Sequence, residues 1–244
     1  MKKLAIITLV LFAGLFANAQ EETRKLSSFS EISVQEAIDA YIKSGDKEEI
    51  RIKTSGSIDL DEVLTDVSGG KLKIHLDGNS HRNVNVTVWV TYKSIKEVSV
   101  SSAASMVGQN TVNASGNFRI KVSSAGDLEL SLKADDLDID VSSAGDADLD
   151  VDVSSIDASV SSAGDVEIEG SAKAQDINVS SSGDYDGDDL ISEEVEVSAS
   201  SGGSARVNVS EQLNARASSG GSVRYKGNPR MDVSTSSGGS IKKS

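Results

Sequence analysis

Cysteine is absent from all 244 residues. That absence excludes disulfides, thiolate metal sites, a cysteine nucleophile and the lipidated cysteine of a lipoprotein. Aromatic residues make up only 4% of the chain. A membrane β-barrel needs aromatic girdles and outward apolar bands, so that architecture is excluded too. Histidine occurs twice, as His75 and His81. Both flank a turn and read as surface residues rather than as a general base or a metal pair. Lys and Arg number 24 against 38 Asp and Glu. Phosphate binding needs clustered cations, so nucleic acid is excluded as a partner. Serine is plentiful, but no Gly-x-Ser-x-Gly elbow with a histidine partner is present. The carboxylates that cleave polysaccharides act as one specific pair. The acids here are repetitive instead, and the chain reads as a non-enzyme.

What the chain has in abundance is one phrase. Ser-Ser-Ala-Gly-Asp stands at Ser123–Asp127, Ser142–Asp146 and Ser161–Asp165. Variants begin at Ser101, Ser180, Ser200, Ser218 and Ser236. The eight copies start 22, 19, 19, 19, 20, 18 and 18 residues apart. A fixed period of this size marks a stacked repeat. On either side of the phrase the residues alternate: Leu137, Ile139 and Val141 with Asp138 and Asp140, then Ala147, Leu149 and Val151 with Asp148 and Asp150. Alternation at period two is the mark of a half-buried strand. One such unit cannot bury its apolar stripe alone, but a stack of them can.

The predicted fold is therefore all-β: a right-handed β-helix, or β-solenoid, with coils of about 19 residues. A left-handed β-helix of hexapeptide repeats fits less well, because the period drifts and no hexad stands out. A β-propeller needs a period of about 40 residues. The glycine common to the turns (Gly126, Gly145, Gly164, Gly183) predicts a backbone with φ > 0 there.

The N-terminus reads as a secretory signal over 1–19. Lys2 and Lys3 precede an apolar run, Leu4 to Phe16, and Ala17-Asn18-Ala19 forms a cleavage site. The predicted location is the periplasm, the outer-membrane surface or the exterior. Residues 20–98 read as irregular first coils or a cap, continuous with the repetitive coils of 99–244. Ile32, Val34, Ile38, Ala40 and Ile42 keep one strand phase. Leu60, Val63, Leu64 and Val67 are spaced as one face of a short helix ended by Ser68-Gly69-Gly70.

Phe29, Ile32 and Val34, the Gly69-Gly70-Lys71-Leu72 strand opening, the Val84-x-Val86-x-Val88 strand and the serine-glycine coils together resemble the head GIN domain family. The resemblance covers nearly all of 28–244. It implies a right-handed β-helix and an adhesin-like exported protein. The family's proline after the Val-x-Val strand is missing, and Trp89-Val90 stands there.

Charge is distributed unevenly. The formal −14 becomes −16 once Lys2 and Lys3 leave with the signal. Between Ser123 and Leu190, 19 acids face Lys133 and Lys173, a net of −17. From Ile191 to Ser244, 5 acids face 7 bases, a net of +2. Aligning the repeats predicts three rows of like charge: Asp127/Asp146/Asp165/Asp184, Glu129/Asp148/Glu167/Asp186 and Asp138/Asp157/Asp176. Such rows destabilise adjacent strands unless solvated, screened or bridged by a cation. Asp184, Asp186, Asp188 and Asp189 are the densest candidate for Ca²⁺, the only cofactor the sequence suggests. They resemble the opening of an EF-hand loop, but Asp189 and Val195 stand where that loop needs Gly and Glu.

For a glycan, aromatic platforms are the usual device. The candidates are Trp89 and Tyr92, with Phe118, Tyr185 and Tyr225 behind them. The predicted role is structural or adhesive at the cell envelope, with a glycan or protein partner; the alternative is a binding module for a glycan or lipid. Lys242 and Lys243 either guard the final strand edge or flank a docking surface for another protomer or protein.

Overall fold

The computed structural model describes residues 20–78 and 84–244. The expectations for the signal and for His81 lie outside the described residues. The described chain is a β-solenoid with no α-helix, and only a 3₁₀ turn at Leu60–Glu62 interrupts the strands.

The first seven strands are β1 (Gln20–Lys25), β2 (Glu31–Val34), β3 (Ile38–Ser44), β4 (Glu49–Gly56), β5 (Val63–Ser68), β6 (Lys71–Leu76) and β7 (Val84–Tyr92). They do not stack in chain order. β2 lies between β6 and β8 (Glu97–Ser101), parallel to both. β3 lies between β7 and β9 (Ser105–Gly108), again parallel to both. Below them the chain reverses: β4 runs antiparallel to β7, β1 to β4, and β5 to β6. Arg24 reaches across this end and donates to the carbonyls of Val63 (2.6 Å) and Leu60 (2.7 Å).

The helix expected from Leu60 to Val67 is replaced by β5. Val63, Thr65 and Val67 face Leu76, Ile74 and Leu72 across the β5–β6 hairpin. These β-branched residues pack well on a pleated surface. Gly69 and Gly70, at φ +60° and +82°, form its two-residue turn.

The repeats then stack regularly through β10 (Val112–Asn113), β11 (Asn117–Ser123), β12 (Asp127–Lys133), β13 (Asp136–Val141), β14 (Asp146–Asp152), β15 (Ser155–Val160), β16 (Asp165–Val179), β17 (Asp184–Ala199), β18 (Ser204–Ala217), β19 (Ser222–Lys226), β20 (Arg230–Thr235) and β21 (Ser240–Lys243). Each coil pairs in parallel with its equivalent one coil on. Val122, Val141, Val160 and Val179 form one buried column on this register. In β16, β17 and β18 the second corner of the coil opens into one continuous bent strand, and the next coil is split again into β19 and β20.

The serine-glycine corner differs from its predicted geometry. The residues at φ > 0 are the second serine and the alanine, as in Ser124 (54°) and Ala125 (56°), and not Gly126. The Gly126 amide closes the turn on the Ser123 carbonyl at 3.0 Å. The Ala125 amide donates upward to Ser143 in the next coil at 3.1 Å. Glycine is needed for another reason: coils approach too closely for a side chain. A Cβ on Gly126 would sit 2.7 Å from the Val100 carbonyl oxygen, and one on Gly164 would sit 2.8 Å from that of Val141. One further corner carries no serine-glycine phrase. Glu36 and Ala37 also have φ > 0, and the Ala37 amide donates to Ser102. That corner divides the single strand read from Ile32 to Ile42 into β2 and β3.

The interior contains one polar knot. Tyr185, fully buried, donates its hydroxyl to Gln175 at 2.7 Å, and the Gln175 amide donates to Ser192 at 2.6 Å. Ser192 lies at a register shift between β17 and β18, and the three side chains together satisfy one another.

Candidate functional site

The three acidic rows exist in the predicted register. Asp127, Asp146, Asp165 and Asp184 stand opposite one another along one ladder. Glu129, Asp148, Glu167 and Asp186 form the second, and Asp138, Asp157 and Asp176 the third. The structure adds what the repeat alignment left out: bases from neighbouring coils end the rows. Arg119 pairs with Asp138 at 3.2 Å and Arg216 with Glu196 at 2.7 Å. Arg206 pairs with Asp184 at 3.3 Å and Asp186 at 2.8 Å.

Three of the four residues considered for Ca²⁺ are engaged with protein cations. Arg206 holds Asp184 and Asp186, and Lys226 holds Asp188 at 3.3 Å. Asp189 is exposed and stands opposite Glu169. Asp186, Asp188, Asp189 and Lys226 border a cleft of about 310 Å³ together with Asp148, Glu167 and Glu169. A calcium ion there would compete with both cations. Among the described residues no group of three or more His, Asp or Glu is placed to hold a metal ion.

The rows perturb their own titration. Burial, then the charges of Asp165, Asp127 and Asp148, raises Asp146 above the ordinary 3.8. Burial and neighbouring acids likewise raise Asp165, Asp176 and Asp184, although Arg206 opposes the rise at Asp165 and Asp184. Asp186 goes the other way: burial would raise it, but the Arg206 hydrogen bond, the Asp188 amide and the charges of Arg206 and Lys226 outweigh burial.

The four raised groups bind protons more tightly in the folded chain than in the unfolded one. Their ionisation costs stability at neutral pH, and acidification through their raised range toward 3.8 relieves that cost. Asp186 acts oppositely, losing stability only as pH falls through its depressed range. At constant ionic strength, the Tm is expected to rise as the pH is lowered from neutral toward 3.8. Added salt at neutral pH should raise it as well. A Tm that falls on this acidification would show that the terminal ion pairs outweigh the rows.

The aromatic candidates separate. Trp89 faces outward on β7, opposite Tyr41 on β3 and Arg51 on β4. The Arg51 guanidinium lies 3.8 Å over the Trp89 ring, and the Tyr41 ring stacks beside it at 5.9 Å and 16°. Tyr41, Lys53, Ser55, Asn85, Thr87 and Trp89 line a shallow cleft of about 350 Å³. With Arg51 and Tyr41 stacked against it, the indole offers a ligand mainly its edge. Tyr92 does not join this group. It is 2% exposed, turned into the core, and burial pushes its hydroxyl up to about 12. Phe118 and Tyr185 are also core residues, and Tyr225 is half-buried.

No helix among the described residues is long and apolar enough to cross a membrane. Comparison with known proteins follows the same lines. The family described as "Putative auto-transporter adhesin, head GIN domain" matches residues 28–229. Among curated proteins nothing matches the chain. A solved structure described as a putative adhesin from Parabacteroides merdae ATCC 43184 superposes with a TM-score of 0.88 at 18% identity, covering 94% of this chain and 97% of that one. A second, from Parabacteroides distasonis ATCC 8503, gives 0.85 at 20% identity, with 94% and 98% covered. A third, described as a putative lipid binding protein from the same P. distasonis strain, gives 0.70 at 20% identity over the same shares. At these identities the likeness is one of fold.

Proposed function

The chain belongs to the head GIN domain family, and from that premise we propose that it is an exported, non-enzymatic β-solenoid with an adhesive or structural role at the bacterial cell envelope. The observation that carries the reading is the ladder itself. From β2 to β21 the parallel pairing is continuous, and side chains fill the interior. Such a stack is stiff along its axis and presents equivalent outward residues at each coil, about 4.8 Å apart. It offers repeated surface rather than one deep pocket.

Binding of the purified protein to isolated envelope material tests the reading. Deleting 142–160 removes one whole coil and restores the phrase Val-Ser-Ser-Ala-Gly-Asp at the junction. Retention within about twofold is expected for this deletion and for Trp89→Ala, because contact is spread over many coils. No binding by the parent protein would end the proposal. The alternative, a module for a glycan or lipid ligand, has the cleft beside Trp89 and the neighbour described as lipid-binding in its favour. Loss of binding in Trp89→Ala alone would replace the first reading with this one.

A further inference from the structure

The layer made by β20 and β21 is unlike those below it. Leu213 and Ala215 are 0% and 1% exposed, whereas Met231 and Val233, directly above them in register, are 41% and 44% exposed. All six residues of β20 are exposed, and Ile241 is only half-buried. Among the described residues, β20 pairs only with β18 and β21 only with β19, so each has one open edge. Parallel sheets are normally covered, and an open edge invites a strand.

We propose that a second copy of this chain covers this layer, the two copies meeting end to end about a two-fold axis. With the axis along the long direction of the layer, β20 of one protomer lies antiparallel to the partner's β21, and the reverse contact forms at the same time. Both open edges are then satisfied, and the contact closes on itself. Strand parity limits the register, because inward residues must oppose inward ones. Setting Val233 opposite the partner's Ile241 meets that condition. The same register sets Ser234 opposite the partner's Ser240 and Asp232 opposite the partner's Lys242, an ion pair made twice. The neighbouring permitted registers, Val233 against the partner's Lys243 or Met231 against the partner's Ile241, both lose the ion pair, and the latter sets Arg230 against the partner's Lys242.

Charge elsewhere favours this surface over others. The coils from Ser123 to Leu190 carry −17 and repel a parallel neighbour, whereas Ile191 to Ser244 carries +2. The opposite end of the stack is crossed by the antiparallel β1, β4 and β5 and bound across by Arg24.

Light scattering and sedimentation equilibrium on the purified protein test the contact. The parent is expected to be a dimer. Asp232→Lys and Lys242→Glu should each raise the dissociation constant by at least about tenfold, since each sets like charges face to face twice. The double variant Asp232→Lys/Lys242→Glu should restore the dimer. Both side chains are exposed, so all four proteins should share one thermal melt when measured as monomers. A parent that stays monomeric at every concentration overturns the proposal. So does a dimer indifferent to both single reversals, or growth into open filaments.

Discussion

Val160→Asp is expected to abolish cooperative folding. Val160 is 1% exposed and sits between Val141 and Val179 in the column that follows the corner. Its partners on both sides of the column are buried valines, so a carboxylate there would have no cation beside it in the column. An unpaired buried charge costs about 3–5 kcal/mol, a large share of the 5–15 kcal/mol typical of a whole domain. Protonation would reduce the cost but still leave a polar group without a partner. The control lies one residue away. Ser159 is exposed on the opposite face of the same strand, in register with Asp140 and Asn178. Ser159→Asp, which adds only an exposed charge opposite Asp140, should cost no more than about 1 kcal/mol. Soluble yield and urea midpoints of the two variants decide the matter. Equal midpoints would mean that the faces have been assigned the wrong way round.

The second large effect is expected at Gly170. Here β16 bends over β14, with φ at +111°, and a Cβ would lie 2.0 Å from the Val151 carbonyl oxygen. The Val151 carbon and nitrogen would be only 3.0 and 3.1 Å away. A Cβ has no rotamer by which to escape, so the two coils would have to separate locally. Gly170→Ala is expected to lose about 3 kcal/mol or more, collision and backbone strain acting together. Gly116 allows the two causes to be told apart. Its φ is +78°, yet a Cβ there would meet nothing within 4 Å. Gly116→Ala should therefore show strain alone, about 1 kcal/mol. If denaturant midpoints put the two variants level, close approach contributes nothing at Gly170.

These contrasts show where the sequence was readable. The register of the acidic rows followed directly from the period, because a parallel ladder places equivalent residues side by side. Trp89 was legible as outward because it falls between Val88 and Val90. The same parity argument places Tyr92 inward with Val90, Phe118 with Ile120 and Tyr185 with Ala147 and Val166, and that signal was present but not applied to them. Three features were not legible in this way. The corner at Glu36–Ala37 lacks the serine-glycine phrase, so only its backbone identifies it. The glycines of the corners were assigned to φ > 0, whereas neighbouring serines and alanines carry that conformation. Close approach between coils is a property of the stack and has no local sequence signature. Finally, Leu60 to Val67 satisfies a helical spacing over one turn, and pairing with β6 overrides it. The basic ends of the acidic rows could have been found by extending the alignment one coil further, since Arg206 stands opposite Asp186.

The out-of-order layering at the N-terminal end sets the tempo of folding. In the repeats each strand finds its partner about one coil later, so closure involves short loops and can proceed coil by coil. The β2–β3 layer is different: Ile38 waits for Val86, and Ile32 for Val98, 66 positions on. Ile32 can pair on one side with Leu72 of β6 and Ile38 with Val86 of β7, but the layer is closed on both sides only once β8 and β9 have appeared. Loop-closure entropy then falls on one early event, which should limit the overall rate, while later coils add quickly onto a template already formed.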